Sequence, residues 1–209
     1  MIAFSHVFSK KNGQSTLEDA HFTIEPGECI CVSGASGSGK EVLRLLAVLE
    51  KALKGKVTVD GVDLATLPPP VLQIYRRNIG FLGQEENLLA TLSIAANIAM
   101  PLRMQKWKTE EMEQRVAQLL QASDLLSKAA QFPDALSRNE RRCVSFLRAI
   151  AASPKILLLE EPPENMLSLL KTVHDEGATV ILTTENPRLQ AELHVRTIHL
   201  SPLTLSSQE

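Results

Sequence analysis

The 209-residue chain has no hydrophobic run that approaches the length needed to cross a membrane. Its N-terminal stretch, MIAFSHVFSKK, also lacks an apolar segment of the length found in secretory signals. The formal net charge is only −2, so bulk electrostatics gives no reason to expect a nucleic-acid partner. We therefore expect a cytoplasmic protein, which reaches the inner face of the cell membrane only through a partner.

Cysteine and histidine are scarce, and their placement excludes further classes of protein. Three cysteines cannot all pair with one another, and Cys29 and Cys31 lie too close on one predicted strand to bridge easily. Reduced thiols are therefore expected. The five histidines show no spacing typical of a metal site. Neither a disulfide scaffold nor a histidine-based metal protein is indicated.

What the chain does have is a glycine-rich loop between an apolar strand and an amphipathic helix, in residues 30–41, ICVSGASGSGKE. The glycines allow a tight turn in which successive N–H groups point at an anion, and the helix N-terminus adds its positive dipole end. Lys40 can reach the β- and γ-phosphates of a nucleotide. The predicted nucleotide-binding residues of this phosphate loop are Gly34, Ala35, Ser36, Gly37, Ser38, Gly39, Lys40 and Glu41.

The last residue of the phosphate loop departs from the expected chemistry. A serine or threonine hydroxyl after the lysine would hold Mg²⁺, but this chain has Glu41. A carboxylate about 4 Å from a phosphate costs a few kcal/mol at an effective dielectric constant of about 20. A magnesium ion between the carboxylate and the phosphate would make the interaction favourable, because glutamate is a competent Mg²⁺ ligand. Glu41 thus either weakens nucleotide binding or serves as a metal ligand. The third interpretation is that the loop is only a structural turn and binds no ligand.

Strands alternate with helical patterns along most of the chain, which predicts an α/β fold with a mostly parallel sheet. The N-terminal residues instead follow the pattern of short antiparallel strands, and residues from about 92 to 153 look helical. We predict one domain, in which residues 1–84 and 155–209 form a P-loop α/β core with an N-terminal β-region. Residues 85–154 are predicted to form a helical subdomain.

Polar side chains follow two further predicted strands. Gln84 comes after one strand, and Glu160 and Glu161 end the strand in LLLEEPP. We predict Glu41, Glu160 and Gln84 as metal ligands and Glu161 as the general base that orients an attacking water. The alternative is a strand end with solvated charges. Farther upstream, Ser137 and Glu140 form an S-x-x-E capping box at a helix start.

In this order and spacing the chain resembles the nucleotide-binding domains of ABC transporters, and it looks most similar to the FtsE-type cell-division ATPases and the LolD/MacB group. The resemblance covers nearly the whole chain, and the segments LLSKAAQFPDALS, LRAIAASPKILLLEEP and EGATVILTTE carry it together with the phosphate loop. It implies ATP and Mg²⁺ as cofactors, a permease-type integral membrane subunit as partner, and a homodimer or heterodimer with another nucleotide-binding domain.

Several positions depart from the pattern of that family. Its signature Leu-Ser-Gly-Gly-Gln/Glu reads LSRNE at residues 136–140, its strand aspartate is Glu160, and its switch histidine is replaced by Glu185. The retained carboxylate is Glu161. These departures predict a degenerate ATP-binding subunit that binds ATP weakly and scaffolds or regulates a permease partner. The alternative is an active ATPase that drives a membrane partner.

Overall fold

The structure is a computed structural model, and it describes residues 1–11, 14–34 and 37–200. Ala35 and Ser36 of the phosphate loop lie outside the described residues, as do the last nine residues of the chain. Among the described residues, no helix is both long enough and apolar enough to cross a bilayer.

An antiparallel sheet is formed mostly by the N-terminal residues, where apolar and polar side chains alternate. Its strand order is β2-β1-β4-β5, and each neighbouring pair is antiparallel. One face packs on the side chains of the first helix, so this small sheet covers one side of the core. Its strands are β1 (Ile2–Lys11), β2 (Gln14–Ile24), β4 (Lys54–Val59) and β5 (Val62–Asp63).

A five-stranded parallel sheet forms the centre of the molecule, in the order β6-β7-β8-β3-β9. Every residue of β7 and β8 is buried, which explains why both strands read as continuous apolar runs. The strands are β3 (Cys29–Gly34), β6 (Ile79–Leu82), β7 (Ile156–Glu160), β8 (Thr179–Thr183) and β9 (Arg196–Leu200). The carboxyl ends of β3, β6, β7 and β8, called here the carboxyl edge, carry the predicted site residues.

Helices connect these strands, and the three longest follow one another between β6 and β7. In α4 the predicted apolar stripe is buried at Val116, Leu119 and Leu120. The α/β fold with an antiparallel sheet and a helical part is therefore confirmed. The helices are α1 (Ser38–Leu46), α2 (Pro69–Arg77), α3 (Ile94–Met104), α4 (Thr109–Ala122), α5 (Arg138–Ile150), α6 (Leu167–Asp175) and α7 (Pro187–Glu192).

Two apolar clusters hold the layers together. One joins the antiparallel sheet to α1 and one face of the parallel sheet, and the other joins the opposite face to the helices α3 to α6. The three cysteines are buried and unpaired, as predicted. Burial raises the pKa of the Cys29 thiol to about 12, so this side chain behaves as an inert apolar group.

Candidate functional site

The phosphate loop leaves the end of β3 and enters α1, and two of its glycines are required by geometry. Gly37 precedes α1 with φ = 77°, a left-handed conformation that other residues rarely adopt. A side chain at Gly39 would place its Cβ 2.6 Å from the carbonyl oxygen of Val32 and 2.8 Å from Cγ2 of Thr183. The first turn of α1 therefore lies directly against the ends of β3 and β8.

Lys40 brings two of the predicted site residues together at the carboxyl edge. Its ammonium nitrogen lies 2.8 Å from Oε1 of Glu160, and it donates a hydrogen bond of 3.4 Å to Oε1 of Gln84. Glu160 is nearly buried, whereas the side chain of Lys40 is 44% exposed. The lysine that would contact nucleotide phosphates is thus paired with the carboxylate at the end of β7.

Glu41 has a different environment from the one predicted for a metal ligand. It is only 3% exposed, and its Oε1 accepts a hydrogen bond from the hydroxyl of Ser9, which is equally buried in β1. The contacts of the predicted ligands therefore diverge: Glu41 contacts Ser9, while Glu160 and Gln84 contact Lys40. Within residues 1–11, 14–34 and 37–200, no cluster of three histidine, cysteine or acidic side chains could hold a metal ion. In this arrangement the donor groups do not fit a divalent cation.

Two hydroxyl groups beside the phosphate loop are buried without a hydrogen-bond partner among the described residues: Ser38 Oγ and Thr183 Oγ1. Ser38 Oγ lies against Gly34, and the Cγ2 methyl of Thr183 lies against Gly39, so both residues are next to described ends of the loop. Leaving a buried hydroxyl unsatisfied typically costs about 1–3 kcal/mol. Phosphate oxygens are strong acceptors for such donors, so the residues present fit the phosphate groups of a nucleotide.

Glu161 follows β7 in a left-handed conformation with φ = 47°, which is uncommon for a residue with a side chain. One carboxylate oxygen accepts a hydrogen bond of 3.0 Å from the hydroxyl of Thr184, and the other accepts one of 3.3 Å from the N–H of Glu185. The side chain of Glu185 is itself exposed. Sequence reasoning singled out Glu185, but the side chain that contacts Glu161 is Thr184.

An open cavity of about 700 Å³ lies beside Glu161. Its charged lining is mixed, with Arg142 and Arg188 beside Glu161 and Glu164. Arg188 is tied to Glu164 by an ion pair of 3.0 Å. A carboxylate beside an open, polar cavity is the arrangement expected of a group that orients water, and no described contact buries it.

Arg142, on α5, is a site residue that sequence reasoning missed. Its guanidinium donates to the backbone carbonyls of Gly83 and Gln84 after β6, and to those of Glu160 and Glu161 after β7. Burial lowers its pKa, and the nearby carboxylates oppose that effect. One helical side chain therefore fixes the backbone at two strand ends of the carboxyl edge.

A signal for Arg142 was present in the sequence. It precedes the fully buried Phe146 by four residues, which places both on the inward face of α5. At the start of the same helix the predicted capping box is present: Ser137 Oγ accepts from the N–H of Glu140, and the Glu140 carboxylate accepts from the N–H of Ser137. Lys128 and this cap lower the pKa of Glu140 to about 2. Ser137 therefore has a defined structural role.

The parallel sheet and the loop against α1 define a P-loop nucleotide-binding protein, and the comparison with protein families agrees. The family model described as ABC transporter matches residues 17–164, more than half of the chain. The chain belongs to the ABC transporter family.

Curated relatives are similar over most of this chain. The methionine import ATP-binding protein MetN of Bifidobacterium longum is 34% identical over 96% of this chain and 54% of its own length. MetN 1 of Staphylococcus aureus (strain USA300) is 36% identical over 90% of this chain and 60% of its own length. The chain thus spans a little over half the length of the curated relatives it matches. These names support the transporter family, and they do not support the predicted similarity to the FtsE-type cell-division ATPases and the LolD/MacB group.

Solved structures match the whole fold. The ATP-binding cassette MJ0796, a dimer in a post-hydrolysis state bound to ADP and Pi, superposes with a TM-score of 0.86 at 26% identity, over 98% of this chain and 97% of that one. A second dimeric structure of the same bacterial ABC transporter cassette has the same TM-score at 28% identity, over 96% of this chain and 94% of that one.

Proposed function

We propose that this chain is the ATP-binding subunit of an ABC-type membrane complex, that it binds ATP at its phosphate loop, and that it hydrolyses ATP slowly or not at all. The observation that carries the proposal is Lys40, which projects from the first turn of α1 beside Glu160 and Gln84. A lysine at a helix N-terminus behind a glycine loop is an anion site by its chemistry.

Binding would use groups that are already in place. The backbone N–H groups of the first turn of α1 and the ammonium of Lys40 would contact the phosphates. The unpartnered hydroxyls of Ser38 and Thr183 would donate to phosphate oxygens. The ADP and Pi bound to the MJ0796 cassette support ATP as the nucleotide, because that fold superposes on nearly the whole of this chain.

Slow hydrolysis follows from the way the charged groups are paired. The ammonium of Lys40 is shared with Glu160, and the first turn of α1 carries the buried Glu41 instead of a hydroxyl. Each lost transition-state contact can cost several kcal/mol, and 1.36 kcal/mol is a factor of ten in rate. These substitutions support a degenerate subunit whose role is to scaffold or regulate a permease-type partner.

One observation favours the alternative, an active ATPase that drives a membrane partner. Glu161 lines the open cavity, and the hydroxyl of Thr184 holds its carboxylate in place. A carboxylate fixed in this way can orient an attacking water once a nucleotide is bound. The rate of phosphate release separates this alternative from the main proposal.

The proposed partners are a permease-type membrane subunit and a second nucleotide-binding domain, in a homodimer or a heterodimer. The relatives' names support a complex that imports a small molecule, and methionine is the cargo those names print. The dimers of the MJ0796 cassette support pairing of nucleotide-binding domains. The membrane subunit, and not this chain, would determine which substance is transported.

Lys40→Ala tests the binding site directly. The change removes a charge-assisted contact to phosphate, and such contacts contribute about 1.5–3 kcal/mol, so we expect ATP affinity to fall about tenfold or more. Isothermal titration calorimetry measures the affinity. Lys171→Ala is the matched control, because Lys171 pairs with Glu192 at an exposed site on α6. Equal affinities for the wild type and Lys40→Ala would contradict the proposed site.

A further inference from the structure

We propose that the phosphate loop binds its nucleotide without a divalent cation, because Ser9 holds the Glu41 carboxylate in the core and Lys40 engages Glu160. This inference rests on the proposed function, since it concerns the same nucleotide site. It assigns a role to Ser9, a residue of the antiparallel sheet that no sequence motif singled out.

The first step is the fixed position of Glu41. The residue lies in the first turn of α1, where a hydroxyl would face a metal ion, yet it is only 3% exposed. Its carboxylate accepts the hydrogen bond of Ser9, and Ser9 is also 3% exposed. Hydrogen bonds to an ionised acceptor are roughly twice as strong as those between neutral groups. Turning Glu41 toward the phosphates would break this bond and leave the Ser9 hydroxyl buried without an acceptor.

The second step concerns the other two oxygen ligands at the carboxyl edge. Oε1 of Glu160 lies 2.8 Å from the ammonium of Lys40, and Oε1 of Gln84 accepts from the same nitrogen at 3.4 Å. A cation placed between them would have to displace a positive charge that belongs to the protein. Magnesium at a nucleotide site is usually held by one or two protein oxygens together with phosphates and waters, and here each of the three predicted protein oxygens already contacts Ser9 or Lys40.

The third step is that the phosphates can be neutralised by other means. The Lys40 ammonium has three N–H donors, so it can donate to a phosphate oxygen while it stays paired with Glu160, and the N-terminus of α1 supplies a partial positive charge. The hydroxyls of Ser38 and Thr183 are buried without partners among the described residues, and both residues lie next to the loop, so both hydroxyls are available to donate to phosphate oxygens. The loop therefore has donors for the phosphates that do not depend on a metal ion.

Calorimetric titration of the full chain with ATP, once with excess magnesium chloride and once with EDTA, tests the inference. We expect the two dissociation constants to agree within about twofold. A loss of affinity of about tenfold or more in EDTA would overturn the inference and leave the proposed nucleotide site intact. Absence of binding in both buffers would overturn the proposed function, and this inference with it.

Two variants assign the effect to the Glu41–Ser9 pair. Glu41→Ser restores a hydroxyl in the first turn of α1, so magnesium should tighten its ATP binding by about tenfold. Ser9→Ala releases the Glu41 carboxylate and should also introduce a magnesium dependence. Ser5→Ala, on the same strand β1, is the matched control and should behave as the wild type. Equal affinities with and without magnesium in both Glu41→Ser and Ser9→Ala would contradict the role given to this pair.

Discussion

The carboxyl edge and the helical part of this protein satisfy their polar groups in different ways. In the helical part, the fully buried Asn97 accepts from the N–H of Leu89 and donates to three carbonyls, so every group of its amide is paired. At the carboxyl edge, Lys40 is paired with Glu160, while the hydroxyls of Ser38 and Thr183 have no partner among the described residues. On the neighbouring α1, Glu41 is turned to Ser9 of the antiparallel sheet.

This difference indicates which part of the protein has polar groups available to bind a ligand. The loop held by Asn97 has its polar groups paired within the chain, and we propose that it is part of the surface on which a permease-type partner docks. The carboxyl edge has neutral donors ready for an anion, but its carboxylates are already engaged. The proposed function makes this difference testable: it expects partner binding to be kept and hydrolysis to be reduced.

The largest effect is expected from a variant in the apolar segment that follows Gln84. Leu89 is 43% exposed, whereas Leu88 packs on the main core, so only Leu89 can be changed without loss of core packing. If the permease-type partner docks on this segment, Leu89→Glu should abolish its co-purification from detergent, because the change places a charge on the exposed apolar side chain of the proposed contact. Asn97 holds the backbone of Leu89 through hydrogen bonds of 2.8 and 3.1 Å, so the fold should survive this change.

Lys40→Ala is the matched variant for that experiment. A partner that binds the scaffold should remain with Lys40→Ala, because the changed residue lies at the carboxyl edge. Release of the partner by Lys40→Ala and not by Leu89→Glu would show that binding is gated by nucleotide, and the division between the two regions would then be wrong.

Arg142 lies on α5 of the helical part and contacts backbone carbonyls at the carboxyl edge, so it joins the two regions. A variant at this position measures how much these contacts contribute to stability. We expect Arg142→Gln to lower the free energy of unfolding by about 2 kcal/mol, since four carbonyls at two strand ends lose a charged donor. Chemical denaturation measures the change. Arg138→Gln, at the exposed start of the same helix, should alter stability by less than about 0.5 kcal/mol. Similar losses in both variants would mean that charge, and not the carbonyl contacts, is responsible.

The smallest expected effect concerns the cap of α5. Lys128 is the main cause that lowers the pKa of Glu140 from 4.5 to about 2. A lowered carboxylate pKa stabilises the fold above the unfolded value and loses that contribution as pH falls through the folded value. Lys128→Ala should therefore be less stable than the wild type near neutral pH, and the difference should shrink between about pH 4.5 and pH 2. An offset that is the same at every pH would point to lost packing alone.

Much of this architecture could be predicted from the sequence, because local patterns determine it. The alternation of strands and helices, the phosphate loop and the capping box at Ser137 follow from residue types and spacing within a few positions. The sequence also predicted that Gln84 and Glu160 follow strand ends, and the structure shows that the two strands are neighbours and that both side chains contact Lys40.

What could not be predicted depends on contacts between distant segments. The hydrogen bond from Ser9 to Glu41 joins residues 32 positions apart, and no local pattern singles out Ser9. The contact of Thr184 with Glu161 depends on the left-handed turn at Glu161, which the sequence does not display. The metal set of Glu41, Glu160 and Gln84 was predicted from the order of motifs, whereas the contacts of these residues diverge.

Steady-state phosphate release from ATP tests the central claim most directly: that the nucleotide site is retained while hydrolysis is reduced. The purified chain should release phosphate far more slowly than about 1 s⁻¹, the lower end of typical enzyme turnover, and Glu161→Gln should change that rate little. Turnover of about 1 s⁻¹ or faster that is abolished by Glu161→Gln would contradict the claim and establish an active ATPase.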